Sequence, residues 1–168
     1  NAGRRVHVYL VNAGYWTGVK EILCNQLDRC LTNDQVTASR NAELLSALER
    51  IGVPATNVHF LYVHEEDPNA PPKARTSVAE IVAKAGPTAR FRTISWMDAH
   101  PSHYLLGYAL RDACNADKVA DCSFFQSPLY QNLPEALQHN PVVSPQGQMV
   151  PAPGWLITAA ANAYKEDY

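Results

Sequence analysis

A chain of 168 residues is long enough for one domain that buries roughly two-thirds of its surface, and it needs no metal merely to fold. A formal charge of −2, with Lys and Arg scattered along the chain, gives no basic stripe and argues against nucleic acid as a partner. No apolar run reaches the length of a membrane span.

In chain order, Asn1-Ala2-Gly3-Arg4-Arg5 runs directly into Val6-His7-Val8-Tyr9-Leu10-Val11, a β-branched run that predicts a buried strand. The abrupt start, with no signal peptide, leads us to expect further natural chain upstream. A loop holding Tyr15, Trp16 and the first two cysteines follows. Thr32-Asn33-Asp34-Gln35 is a capping box, so a helix is expected from there, with Ala38, Ala42, Leu45, Leu48 and Ile51 on one face and a stop at Gly52 and Pro54. Residues 57–63 predict the next strand, left through the acidic loop His64-Glu65-Glu66-Asp67-Pro68. Pro71-Pro72 is expected to bar regular structure, and Ser77-Val78-Ala79-Glu80 to start a short helix ending at Gly86-Pro87.

Arg90 to Trp96 alternates like a strand, and Tyr104, Leu105, Tyr108, Ala109 and Ala113 recur at helical spacing. Ser123 to Gln126 predicts a further strand. Residues 133–153 hold five prolines and read as an irregular segment, and a closing helix is expected over Trp155 to Tyr164. Strands alternating with helices give the expected fold class: α/β, a Rossmann-like doubly wound, mostly parallel sheet with helices on both faces, in a single domain spanning 1–168. No Gly-x-Gly-x-x-Gly follows the first strand, which disfavours a dinucleotide-binding enzyme.

The four cysteines fall into two close pairs, Cys24 with Cys30 and Cys114 with Cys122. The spacing favours two local disulfides over free thiols, and it is poor for a zinc knuckle. Each closed loop would contribute roughly 2–3 kcal/mol by the chain-entropy estimate. Disulfides in turn imply a secreted or otherwise extracytoplasmic protein.

The chemistry concentrates in Trp96-Met97-Asp98-Ala99-His100-Pro101-Ser102-His103. Two histidines and a carboxylate within six positions can bind a cation or move a proton, and they fall where a strand gives way to a helix, the edge at which open α/β sheets hold ligands. The bland alternative is a pair of capping or chance histidines, since one His-x-x-His supplies at most two of the three protein ligands a catalytic zinc takes.

Together with the first strand and its Asn-Ala-Gly turn, the helix with Arg40-Asn41-Ala42-Glu43, and Leu48 to Val53 leading into Asn57-Val58-His59-Phe60-Leu61, the run Asp98 to His103 resembles the PIG-L or LmbE-like family of zinc-dependent N-acetylsugar deacetylases. The likeness covers roughly residues 4 to 130, and the histidine run is its most specific part. It implies a hydrolase that removes an N-acetyl group from an amino sugar or glycan. His103 would be the metal ligand and His100, with Asp98, catalytic: protonated His100 stabilises the oxyanion and donates to the leaving amine. Arg40 and, more loosely, Glu65 would contact the sugar; the plainer readings, Arg40 with Glu43 as no more than an i,i+3 surface pair and Glu65 as a solvated loop charge, weigh more here than for the histidines. Independently of the resemblance, Tyr15, Trp16 and Trp96 offer flat apolar faces of the kind sugars stack against.

Two departures stand out. Ser102 replaces the family's aspartate, exchanging an anionic partner of the histidines for a neutral one. The upstream His-Pro-Asp-Asp motif, source of the remaining zinc ligands and of the general base, occurs nowhere in the 168 residues. One imidazole does not hold a catalytic zinc, so the 168 residues alone are expected to bind zinc weakly and to be inactive, with the other ligands lying upstream of Asn1. The alternative is a carbohydrate-binding or accessory domain of the same fold that has lost the chemistry.

Overall fold

The computed structural model describes residues 5–12, 19–27, 30–63, 70–98, 101–126, 142–143 and 148–150. They divide into two compact units, Asn1–His64 and Glu65–Tyr168.

In the first unit, strand β1 (Val8–Leu10) pairs in parallel with β2 (Val58–Phe60), with Val8 opposite Val58 and Leu10 opposite Phe60. The pairing continues past both strands, as the Leu61 N–H donates to the Leu10 carbonyl at 2.9 Å and the Val63 N–H to that of Val11 at 2.7 Å. Helix α1 is Val19–Leu27 and helix α2 is Asn33–Arg50. The predicted capping box opens α2. The Thr32 hydroxyl accepts from the Gln35 N–H at 3.2 Å, and the Gln35 side chain accepts from the Thr32 N–H at 2.9 Å, so two otherwise orphaned donors are satisfied. Gly52, at φ +84°, turns the chain out of α2, a left-handed conformation that glycine adopts without steric cost.

The buried face of α2 differs from the expected one. Val36 and Leu48 are buried, and Leu44 and Leu45 pack with Leu48 against Val53 and Val58, whereas Ala38 and Ala42 are exposed and Ile51 is 53% exposed. Valine and leucine side chains remove more apolar area from water than two alanines, and the helix turns to bury them. Strand β1 is likewise less buried than its composition predicts: Val8 and Leu10 are half-buried, and Tyr9 between them is exposed.

The second unit begins with helix α3 (Ala70–Ala85), longer than expected and started earlier. Pro71 and Pro72 do not bar it. They occupy its first turn, where backbone N–H groups have no intrahelical acceptor and a missing donor costs nothing. Ser77 therefore lies inside the helix and not at its cap. Strand β3 (Arg90–Ile94), helix α4 (Pro101–Ala116) and strand β4 (Asp121–Phe125) follow as a βαβ unit, with Phe91 opposite Cys122 and Thr93 opposite Phe124 in parallel register. The segment expected to be irregular supplies two short strands, β5 (Val142–Val143) and β6 (Met149–Val150), which extend β4 antiparallel into a four-stranded sheet of order β3-β4-β5-β6. The remainder of 133–153 and the expected closing helix lie outside the described residues.

The α/β class is thus present. The described strands form a parallel pair and a separate four-stranded mixed sheet, and no doubly wound sheet is formed among them. The larger core is Val78 and Val82 of α3, Ala109, Leu110, Ala113 and Cys114 of α4, and Val119, Cys122 and Phe124, with Phe91, Trp96 and Leu106 packed against it. No described helix is long and apolar enough to cross a membrane.

Both cysteine pairs are joined, Cys24 to Cys30 and Cys114 to Cys122. They differ in setting. Cys114 and Cys122 are 2% and 3% exposed inside the core, whereas Cys24 is half-buried and Cys30 exposed. Access governs thiol–disulfide exchange, so mild reduction followed by alkylation and peptide mapping is expected to label Cys24 and Cys30 well before Cys114 and Cys122. Labelling of all four at one rate would contradict that order. Replacing Cys114 and Cys122 together by alanine should cost about 2–3 kcal/mol through the freed loop alone, read as a fall in the denaturation midpoint.

Candidate functional site

The turn between β3 and α4 is built by local polar contacts. The Ser95 N–H donates to the Phe125 carbonyl at 2.8 Å, extending the β3–β4 ladder one residue past Ile94. The Ser95 hydroxyl accepts from the Met97 N–H at 3.0 Å, and the Asp98 N–H donates to the Ser95 carbonyl at 3.2 Å, closing a tight turn. Ser95 is completely buried, and the Asp98 side chain is 0% exposed.

From this turn the Asp98 carboxylate faces the first turns of α4, with Oδ1 3.1 Å from Nδ1 of His103. A carboxylate oxygen accepts, so Nδ1 carries the hydrogen and, in the neutral ring, the lone pair falls on Nε2. A buried carboxylate behind one ring nitrogen is the arrangement that fixes tautomer and orientation in metal-ligating histidines. The His103 side chain is 32% exposed, so the ring is partly accessible to solvent while its Nδ1 rests on the buried carboxylate.

What brings the helix close enough is Gly107, one turn beyond His103 on α4. A Cβ at Gly107 would lie 2.2 Å from the backbone nitrogen of Trp96 and 2.6 Å from the carbonyl carbon of Ser95, so only glycine permits α4 to rest directly on the backbone that follows β3. Trp96 is held on its other side by an edge-on contact with Phe124 at 4.7 Å between centroids, and Arg111 lies over both the Trp96 and Tyr108 rings. Gln126 follows β4 next to Ser95 in register. It is fully buried, and neither amide atom has a hydrogen-bond partner among the described residues.

Of the residues singled out from the sequence, the fold joins Asp98 and His103. Arg40 is an exposed residue of α2 in the other unit. His100, Glu65 and Trp16 lie outside the described residues, as does the side chain of Ser102. Sequence reasoning passed over Ser95, Gly107 and the pairing of Asp98 with His103. The Ser-x-x-Asp spacing ahead of a helix and the His-x-x-x-Gly spacing within it were the available signals.

One imidazole with its supporting carboxylate fits one position of a zinc site. The set is not completed among the described residues, where no group of three or more His, Cys, Asp or Glu side chains is placed to hold a metal ion. Comparison with protein-family models, with curated proteins and with solved structures finds no match to this chain.

Gly107→Ala separates two effects. Helix propensity alone would favour alanine by about 1 kcal/mol. The contact with the Trp96 backbone works against it, and overpacking of this kind costs about 1–3 kcal/mol or more. We expect a net loss of stability in urea denaturation and displacement of His103 from Asp98; a gain in stability would show that α4 moves away freely.

Proposed function

We propose that this chain contributes the histidine portion of a metal-dependent N-acyl amino-sugar hydrolase of the PIG-L or LmbE-like kind, acting on a small-molecule or glycan substrate with an N-acetyl group. The observation that supports it most directly is the 3.1 Å contact between the buried Asp98 carboxylate and His103 Nδ1, which orients Nε2 as a metal ligand. Zinc at such a site would activate water and polarise the acetamide carbonyl.

The chain's own residues have distinct parts in this reading. His103 binds through Nε2. Asp98 positions that ring and, being fully buried, acts through it and not on substrate. His100 stabilises the developing oxyanion and returns a proton to the leaving amine, and Arg40, Glu65 and Trp16 are the proposed sugar contacts. Two further metal ligands and a carboxylate base are required. The family resemblance puts them on a His-Pro-Asp-Asp motif ahead of Val6. The cysteine pairs favour a secreted, extracytoplasmic setting.

The test compares the 168-residue chain with one carrying that motif upstream, reading zinc content and acetate release from N-acetylglucosamine glycans. The longer chain should bind zinc stoichiometrically and release acetate, and the shorter one should do neither. In the longer chain His103→Ala should abolish both, Asp98→Asn should weaken zinc binding by about 10–100-fold, and His100→Ala should keep the metal while lowering kcat about a hundredfold. Glycan binding without zinc or acetate release would instead identify an inactive carbohydrate-binding domain, and an unchanged rate in His100→Ala would overturn the assignment of its role.

A further inference from the structure

In the first unit two histidines 52 positions apart meet on the surface. His7 directly precedes β1 and His59 is the central residue of β2; Nδ1 of His7 lies 3.1 Å from Nε2 of His59. Tyr9 lies opposite His59 in the parallel register, and with side chains alternating along a strand, His7, Tyr9 and His59 share one face. The face is open, with His7 and Tyr9 exposed and His59 half-buried.

The pair is also held in place. Tyr9 stacks on the His59 ring at 4.5 Å between centroids, which keeps that ring on the shared face beside His7. The backbone ahead of His7 is fastened by the Asn57 side-chain amide, which donates to the Val6 carbonyl at 3.0 Å. Two side chains that meet without local sequence constraint, and whose backbones are fixed by a ladder and a side-chain clamp, have already lost much of the freedom that ligand binding would remove.

We propose that His7 and His59 form a two-imidazole chelate for a divalent transition-metal ion, taking copper(II) most tightly. Imidazole nitrogens bind such ions at about 2.0–2.1 Å, so two on one ion stand about 2.9 Å apart at a right angle and about 3.4 Å apart in a tetrahedron. The observed 3.1 Å lies between these limits. In the metal-free pair one ring donates its N–H to the lone pair of the other. On binding, the donor ring changes to its other neutral tautomer, its hydrogen passing through solvent to the remote ring nitrogen, so that both rings stay neutral and present a lone pair to the ion with no net release of a proton. Water fills the remaining positions, a donor set that suits tetragonal copper(II), and the general order of stability puts copper(II) above nickel(II) and zinc(II). Magnesium and calcium, which prefer oxygen donors, are excluded.

The site belongs to a different unit from His103 and depends on none of the residues proposed for hydrolysis. The experiment is a titration of the full 168-residue chain with copper(II), followed by quenching of tyrosine fluorescence and by electron paramagnetic resonance. One ion should bind, with nitrogen hyperfine structure from two imidazoles. His7→Ala and His59→Gln should each weaken binding by about tenfold or more, since even a supporting group behind a ligand is worth about that much. Circular dichroism checks that each variant folds, and His103→Ala should retain the copper site. Equal affinity in wild type and both single variants would overturn the proposal, as would magnesium competing with copper at equal concentration.

Discussion

The close approach of α4 to the backbone at Ser95 and Trp96, possible only because Gly107 has no side chain, sets the geometry of the second unit. A helix normally stands off a strand by the depth of its side chains. At this point it does not, and the consequence runs in both directions along α4. Toward its start, His103 is brought within hydrogen-bonding distance of a carboxylate that the Ser95 turn has already buried. Toward its end, Ala109, Leu110, Ala113 and Cys114 are laid into the core with Phe124, and Cys114 reaches Cys122 on β4. Packing and site geometry are therefore the same constraint seen at two places on one helix.

That coupling explains which features were legible from the sequence. The Thr32–Gln35 capping box depends only on residues three apart and formed as read. The parallel pairing of β3 with β4 follows from a strand, a helix of crossover length and a second strand. The cysteine pairs were legible because their loops are short. Errors arose where a local rule met a choice decided by packing or position. Pro71 and Pro72 break helices in general but not in a first turn, and the face of α2 was set by the bulk of Val36 and Leu44 where spacing alone had picked Ala38 and Ala42.

The site itself was half legible. Asp98 and His103 could be named from the sequence, but not that the one supports the other, because an i,i+5 contact across a turn and a helix start has no characteristic periodicity. The importance of Gly107 was hidden for a related reason. A glycine within a helix pattern reads as a mild defect, and only the distance to the Trp96 nitrogen turns it into a requirement.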